Sequence, residues 1–337
     1  MLLVSIDVGY GFTKAVTDSG HRTSFPSVVA PAHMDLFNGI FNNGVGHKVA
    51  VHTLNGSQEK FVGELALNST AAQHFVARHE KPADMHDLLL LTAAYLCDAG
   101  SFSAVSQRKD DLVVGLPLSF YRAQKDILKD RLSRMSAWVS VDGKEKKYIS
   151  FNKVMVFPQG AGALVSLGSK LPKSGMIGLI DVGTYTTDFM LFEIKNGMPI
   201  PMPDACGSAE AGIYLVQRAI ASEFEKQTGS PLPQRMYQKA MEMARDGKPI
   251  SFESRNIDLY SEWKQAQKEV GETIAGHIMA LWGDRTGFLD MTVFAGGGSI
   301  WFGEILEKIF SNSIYADDAV FANAVGFMRM ASGTKKP

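Results

Sequence analysis

Cysteine is scarce in this chain. Only Cys97 and Cys206 occur in 337 residues, far apart and without metal-site spacing. That excludes a disulfide framework and a cysteine-rich metal site. The two read as buried free thiols of a reducing, cytoplasmic compartment. Long apolar runs are missing too. No stretch approaches the roughly 18–20 apolar residues that a bilayer-spanning helix needs. The N-terminus opens on a strand pattern, with no charged segment, apolar stretch and cleavage site in succession, so no signal peptide is expected. Nor is there an excess of charge: 34 Lys and Arg stand against 35 Asp and Glu, a net charge of −1. This removes any global electrostatic reason to bind nucleic acid or an anionic membrane directly. Several catalytic signatures are absent: G-x-x-x-x-G-K-[ST], H-E-x-x-H, C-x-x-C and G-x-S-x-G. The Gly9-x-Gly11 pair lacks the third glycine and the opening helix of a dinucleotide fingerprint. The eight histidines are scattered, which suits surface or core positions better than a ligand set.

What is present is a repeat. Residues 5–14, Ser-Ile-Asp-Val-Gly-Tyr-Gly-Phe-Thr-Lys, are echoed by Leu179-Ile180-Asp181-Val182-Gly183-Thr184-Tyr185-Thr186-Thr187-Asp188. Both contain Ile-Asp-Val-Gly-x-x-x-Thr and run on into apolar residues. Each predicts a buried strand, a tight turn and a second strand. An Asp at the end of a buried strand needs a partner or an ion, because stranding a charge there is costly. The glycines let backbone N–H groups approach a phosphate. Each copy therefore reads as half of a clamp for a polyphosphate and its metal. Two ordinary β-hairpins are the plainer alternative, but self-similarity at one spacing marks a duplicated unit. A third signal is Gly296-Gly297-Gly298-Ser299, set between a buried strand at 291–295 and a helix. Bare backbone there suits a flat ring, and the helix start favours an anion.

The length predicts two domains. Strands are expected at 2–8, 12–17 and 22–25, with Phe25-Pro26-Ser27 leaving the sheet. Residues 30–85 read as a small projecting insertion of irregular strands, with a hairpin signal at Asn55-Gly56. A buried helix is expected from Met85 to Asp98 and a strand at 112–117. A helix over about 120–136, capped by Ser119, would bury Ala123, Ile127, Leu128, Leu132 and Met135. A hairpin at 137–151 and a separate strand at 154–157 follow, then a short helix and a linker at 171–175. In the second half, Gly207 to Gly212 opens a long helix to about 228. Further helices are expected at 232–246 and 257–282, and a last one containing 319–327. The tail from Ser332 to Pro337 reads as disordered.

Together the repeat and the glycine turn resemble the actin, hexokinase and heat-shock ATPase superfamily. Phe61-Val62-Gly63-Glu64-Leu65-Ala66-Leu67 and Gly115-Leu116-Pro117-Leu118-Ser119-Phe120-Tyr121 are similar to ParM-type plasmid-segregating actins. Phe157-Pro158-Gln159-Gly160-Ala161-Gly162-Ala163 is similar to the short archaeal actin-like protein of this group. The resemblance implies an α/β actin-like ATPase fold, with two similar RNase H-like domains flanking a nucleotide cleft. Domain I would be 1–172 plus 316–337, and domain II 173–315. The implied cofactors are ATP or ADP and Mg²⁺. Asp7 would hold the metal through water and Lys14 would reach the β-phosphate. Gly9, Tyr10, Gly11, Phe12 and Thr13 would form the first phosphate loop, and Gly183, Thr184, Tyr185 and Thr186 the second. Asp181 would lie near the metal and the attacking water, which Gln159 would orient. Glu210 would face the ribose or purine, and Gly296, Gly297, Gly298 and Ser299 the adenosine. The implied function is an ATPase that polymerises head to tail with itself on binding ATP and disassembles after hydrolysis. Its setting would be DNA segregation or cytoskeletal positioning, with a DNA-binding adaptor as partner and no direct contact with nucleic acid or membrane. A small-molecule kinase or a non-filamentous ATP-binding adaptor on the same fold are the alternatives.

Overall fold

The computed structural model describes residues 1–32, 46–54, 56–75, 81–103 and 109–333, without the side chain of Ser119. The chain divides into two units, Met1–Ser166 with Phe321–Pro337, and Leu167–Val320. The changeovers lie a few residues from the breaks expected at 172/173 and 315/316.

The first unit begins with β1 (Leu3–Val8), β2 (Phe12–Thr17), β3 (Arg22–Pro26) and β4 (Val28–Pro31). Next come β5 (His47–Thr53), β6 (Gly56–Val62), α1 (Glu64–Leu67), β7 (Gln73–His74) and α2 (Ala83–Leu96). Then follow β8 (Asp110–Leu116), α3 (Leu118–Ser133), β9 (Ser136–Val141), β10 (Lys147–Pro158) and α4 (Ala161–Val165). The second unit holds β11 (Ser174–Val182), β12 (Thr187–Lys195), β13 (Met198–Pro201), β14 (Gly207–Ala209), α5 (Ile213–Thr228) and α6 (Tyr237–Arg245). It continues with β15 (Ile250–Phe252), β16 (Arg255–Ile257), α7 (Tyr260–Trp282), β17 (Met291–Ala295), α8 (Ser299–Leu306) and β18 (Ser313–Tyr315). Helix α9 (Ala322–Gly333) belongs to the first unit again.

One strand pattern occurs twice. In the first unit the order β3-β2-β1-β8-β10 joins three antiparallel strands to two parallel ones. In the second unit β13-β12-β11-β17-β18 does the same. This is the duplicated α/β layout of the actin-like fold. The central strands are apolar and covered on both faces, as parallel strands between helices must be. Strands β1 and β8 are buried along their whole length. Trp282 fills the second core, where its Nε1 donates to the Ala205 carbonyl at 3.0 Å. Gly178 gives it room, since a Cβ there would lie 2.7 Å from the Trp282 ring. Each fully buried side chain of this size contributes about 1.5–3 kcal/mol.

Several expectations need correction. The described strands of 30–85 are regular, and they extend the first sheet through β9 in the order β9-β5-β6-β4-β7. Strands β5 and β6 form a hairpin, but Thr53 stands opposite Gly56, so Gly56 opens β6 and does not sit in the turn expected at Asn55-Gly56; Asn55 itself lies outside the described residues, as do 33–45. The strand at 154–157 is not separate. It continues the 137–151 hairpin as one strand, β10, with a register shift between Phe151 and Val154 that lets it leave β9 and join β8. Helix α3 starts straight after Pro117, which stands at its N-cap, so Ser119 is inside the helix. Ala123 and Ile127 are exposed and Leu128 and Leu132 are buried, a rotation of the apolar face from the one expected. Gly207–Ala209 forms β14 on β12, and α5 begins only after Gly212. Cys97 is buried as expected, but Cys206 is only half-buried; both are free thiols. The last helix starts at Ala322, and of the tail expected to be disordered 334–337 lie outside the described residues. Among the described residues no helix is long and apolar enough to cross a membrane.

Candidate functional site

The first turn links β1 to β2. Asp7 pairs with Lys14 and Val8 with Thr13 across the hairpin. The Gly9 N–H donates to the Phe12 carbonyl at 3.0 Å. A Cβ on Gly9 would lie 2.7 Å from that carbonyl oxygen, so the turn closes this tightly only with glycine. Ser27 ties the loop down from behind. Its Oγ donates to the Gly9 carbonyl at 2.7 Å and its N–H to the Gly11 carbonyl at 2.8 Å. With that hydroxyl hydrogen committed, Thr13 Oγ1 is the donor in the 2.9 Å contact to Ser27 Oγ. Phe12 is exposed and Tyr10 half-buried. The Lys81 ammonium donates to the Val8 carbonyl and sits 4.4 Å above the Tyr10 ring.

The carboxylate of Asp7 is buried at the end of β1, and its charge is met from two directions. Gln159 Nε2 donates to Oδ1 at 2.6 Å. Lys14 Nζ lies 3.9 Å from Oδ2. Gln159 follows β10 and is itself held. Its N–H donates to the Leu116 carbonyl at 2.7 Å. The next residue, Gly160, has φ +84°, a conformation glycine adopts without steric cost. Asn323 of α9 accepts through Oδ1 from the Gly160 N–H at 2.8 Å and the Ala163 N–H at 3.2 Å. It thus supplies, from far along the chain, the cap that α4 lacks locally.

The second turn, between β11 and β12, repeats the first. Val182 pairs with Thr187, and Asp181 pairs with Asp188 where the first copy has Lys14. The Gly183 N–H donates to the Thr186 carbonyl at 2.8 Å, and a Cβ on Gly183 would lie 2.9 Å from that oxygen. Here the rear support is the start of α5. Ile213 N–H donates to the Gly183 carbonyl at 3.3 Å and Tyr214 N–H to the Thr184 carbonyl at 2.8 Å. A Cβ on Gly212 would lie 2.7 Å from both carbonyl oxygens. Thr187 Oγ1, fully buried, donates to the Ala211 carbonyl at 2.7 Å. Tyr185 packs its ring 4.7 Å from that of Tyr214. Burial, with Tyr214 adding to it, pushes the Tyr185 phenol up to about 12, so it remains a hydrogen-bond donor at neutral pH.

The glycine turn after β17 packs onto the end of β11. Gly296 has φ +79°, and a Cβ there would collide with Asp181 Oδ1 and the Val182 carbonyl. One on Gly298 would collide with the Val182 side chain. Gly298 N–H donates to the Val182 carbonyl at 2.8 Å. Ser299 is fully buried, and its hydroxyl donates to the Gly296 carbonyl at 2.7 Å. Gly297 alone of the four is partly exposed and has open space around its backbone. Glu210 is exposed and lies between β14 and the N-cap Gly212, not in the first turn of a helix.

The first unit thus assembles Asp7, the 9–14 turn and Gln159. The second assembles Asp181, the 183–186 turn and the 296–299 turn. Sequence reasoning missed Ser27, Lys81, Gly212 and Asn323. Only Asn323 leaves a trace, as a lone amide inside the apolar run 322–327.

One hairpin, closed by one type of bond and placed at the same point in two sheets of one pattern, defines an actin-like protein. Both halves of the chain carry actin-like domains. Residues 5–162 match the N-terminal domain of actin like proteins, and residues 179–308 match the C-terminal domain of the archaeal, MreB-like actin homologue. It is 25% identical to an archaeal actin homolog of Thermoplasma acidophilum over 336 residues, 97% of this chain and 98% of that one. A ParM from a 15-stranded filament of Clostridium botulinum is similar in structure, with TM-score 0.85 and 28% identity over 98% of this chain and 99% of the other. An archaeal actin homolog solved in complex with ADP shares the fold, with TM-score 0.78 and 22% identity over 99% and 100% of the two chains.

Proposed function

We propose that this protein is an ATPase that assembles head to tail into filaments when ATP is bound and disassembles after hydrolysis. Each unit gives one phosphate loop to ATP. The observation that carries this reading is the contact of Gln159 with Asp7, a neutral water-orienting group held on a buried carboxylate beside a phosphate-loop lysine. An amide cannot take a proton at neutral pH, so Gln159 acts by placing the attacking water, as in some GTPases. Hydrolysis is accordingly slow. Lys14 supplies positive charge for the phosphates, and the 9–14 and 183–186 turns supply backbone N–H groups. Asp181 stands at the water's side of the reaction.

The donor set suits Mg²⁺. Among the described residues no group of three or more His, Cys, Asp or Glu is placed to hold a metal by itself, but Mg²⁺ needs only one or two carboxylates alongside phosphates and retained waters. Asp7 accepts one hydrogen bond, from Gln159, and lies 3.9 Å from Lys14 Nζ; of its roughly four acceptor positions this leaves room for metal-bound water. Asp7 and Asp181 would hold the ion, which neutralises phosphate charge when bound.

Heterologous contacts between copies do not close on themselves, so they build filaments. A related ParM is known as a filament, which supports the same behaviour here. The near-neutral charge favours an indirect link to DNA, through an adaptor protein, for segregation of a cargo. The test is light scattering and pelleting of the purified protein with Mg²⁺ and ATP, ADP or no nucleotide. The expected result is scattering with ATP that decays as ATP is consumed. ATP binding without assembly at any concentration would overturn the filament reading, and native-rate hydrolysis by Asp181→Ala would overturn the site.

A further inference from the structure

Ser27 joins β3 to β4 and is 1% exposed, among the core residues Phe25, Val28 and Val29. A hydroxyl is costly in such a place unless it is hydrogen-bonded. Three hydrogen bonds of Ser27 run to the first turn. Its N–H donates to the Gly11 carbonyl at 2.8 Å and its Oγ to the Gly9 carbonyl at 2.7 Å. Oγ in turn accepts from Oγ1 of Thr13, itself fully buried, at 2.9 Å.

These bonds decide which way the N–H groups of the loop face. In a planar trans peptide the carbonyl and the following N–H point to opposite sides. The Gly9 carbonyl, drawn back to Ser27, turns the Tyr10 N–H away from Ser27. The Gly11 carbonyl does the same for the Phe12 N–H. Each of these peptides has a glycine on one side, where rotation meets little steric resistance. The glycines that close the turn therefore do not fix its N–H directions, and Ser27 does.

The second turn carries the same hold in another form. Gly183 stands where Gly9 does, and its carbonyl accepts from the Ile213 N–H at the start of α5, at 3.3 Å. Both units thus hold the equivalent carbonyl from behind, with unrelated atoms. In the second unit the donor is backbone. In the first it is a single side-chain hydroxyl, which a substitution can remove.

We infer that Ser27 is a positioning residue for phosphate binding. Its hydroxyl sets the direction of the Tyr10 N–H and its backbone N–H that of the Phe12 N–H, so that both face the phosphates while Ser27 touches no nucleotide atom. The inference rests on the nucleotide reading above and adds to it a residue outside the loop.

The experiment is an equilibrium titration of the full chain and of Ser27→Ala with ATP, ADP and adenosine in the presence of Mg²⁺. Ser27→Ala is expected to weaken ATP and ADP by about tenfold or more, the scale of one hydrogen bond to a charged group. Adenosine has no phosphate for the loop to hold, so its affinity should stay within about twofold. A residue that only filled the core would not separate the three ligands. Ser27→Cys, close in shape but a weak donor, should show the same separation and decides the matter if Ser27→Ala fails to fold. Wild-type ATP affinity in the folded variant, or equal losses for ATP and adenosine, would overturn the inference alone. No binding of ATP by the wild-type chain would overturn the nucleotide reading and this inference with it.

Discussion

Gln159 Nε2 donates to Asp7 Oδ1 at 2.6 Å, across 152 positions of sequence. The amide therefore has one fixed orientation, with Nε2 toward Asp7 and its oxygen free to accept from another donor. A group held this way orients water without being consumed in the reaction. Gln159→Ala is expected to lower ATP hydrolysis by at least about tenfold, the scale on which a positioned water matters. ATP affinity should change little. Steady-state phosphate release and a binding titration, measured on the same preparation, separate the two.

The two loop glycines make a matched pair. Gly9→Ala and Gly183→Ala each put a methyl group within 3 Å of a carbonyl oxygen, 2.7 Å in the first and 2.9 Å in the second. Either turn must open to admit it, at a cost of about 1–3 kcal/mol. Both variants should lose ATP affinity while keeping their far-ultraviolet dichroism. Gly276 in α7 is the control, because nothing lies within 4 Å of a Cβ there. Gly276→Ala should stabilise the protein by about 0.5–1 kcal/mol in chemical denaturation and leave ATP binding alone.

Asn323 accepts from two N–H groups at the start of α4. Asn323→Ala removes the acceptor oxygen and with it both hydrogen bonds, and it should cost about 0.5–2 kcal/mol of stability. The same loss frees the loop that carries Gln159, so hydrolysis should fall more than ATP affinity does. Equal activity per bound ATP in the variant would show that α9 does not position Gln159.

Tyr185 gives a pH test. Its pKa rises from 10.0 to about 12 on folding, through burial first and Tyr214 second. The unfolded chain loses this proton near pH 10 and the folded chain does not, so stability falls as pH rises through the window from 10.0 to about 12. The loss is at most about 2–3 kcal/mol. Tyr185→Phe lacks the ionisation, so the difference in Tm between wild type and variant should move in favour of the variant above pH 10.0 and stay constant below it.

The local features were legible in the sequence because their causes are local. Ile-Asp-Val-Gly followed by Thr specifies a buried strand, a turn only glycine can close and a strand returning, and both copies fold that way. That repeat implied a duplicated unit; the five-strand order of each copy is a finding of the structure. Side-chain partnerships were not legible. Ser27, Gly212 and Asn323 support the loops through contacts that depend on which strand or helix start comes to rest behind them. Ile127 and Leu128 are adjacent and equally apolar, yet only Leu128 is buried, because packing of α3 against β10 sets the rotation of the helix. At the glycine turn the sequence offered four residues for a ligand. Tertiary packing spends Gly296 and Gly298 on β11, buries Ser299, and leaves Gly297 at the surface. Periodicity and turn chemistry act within a few residues, so the sequence by itself determined most of the elements and the duplication. Burial and hydrogen-bond partners depend on residues far apart in the chain, so only the tertiary structure decided which side chains hold the loops and which stand open.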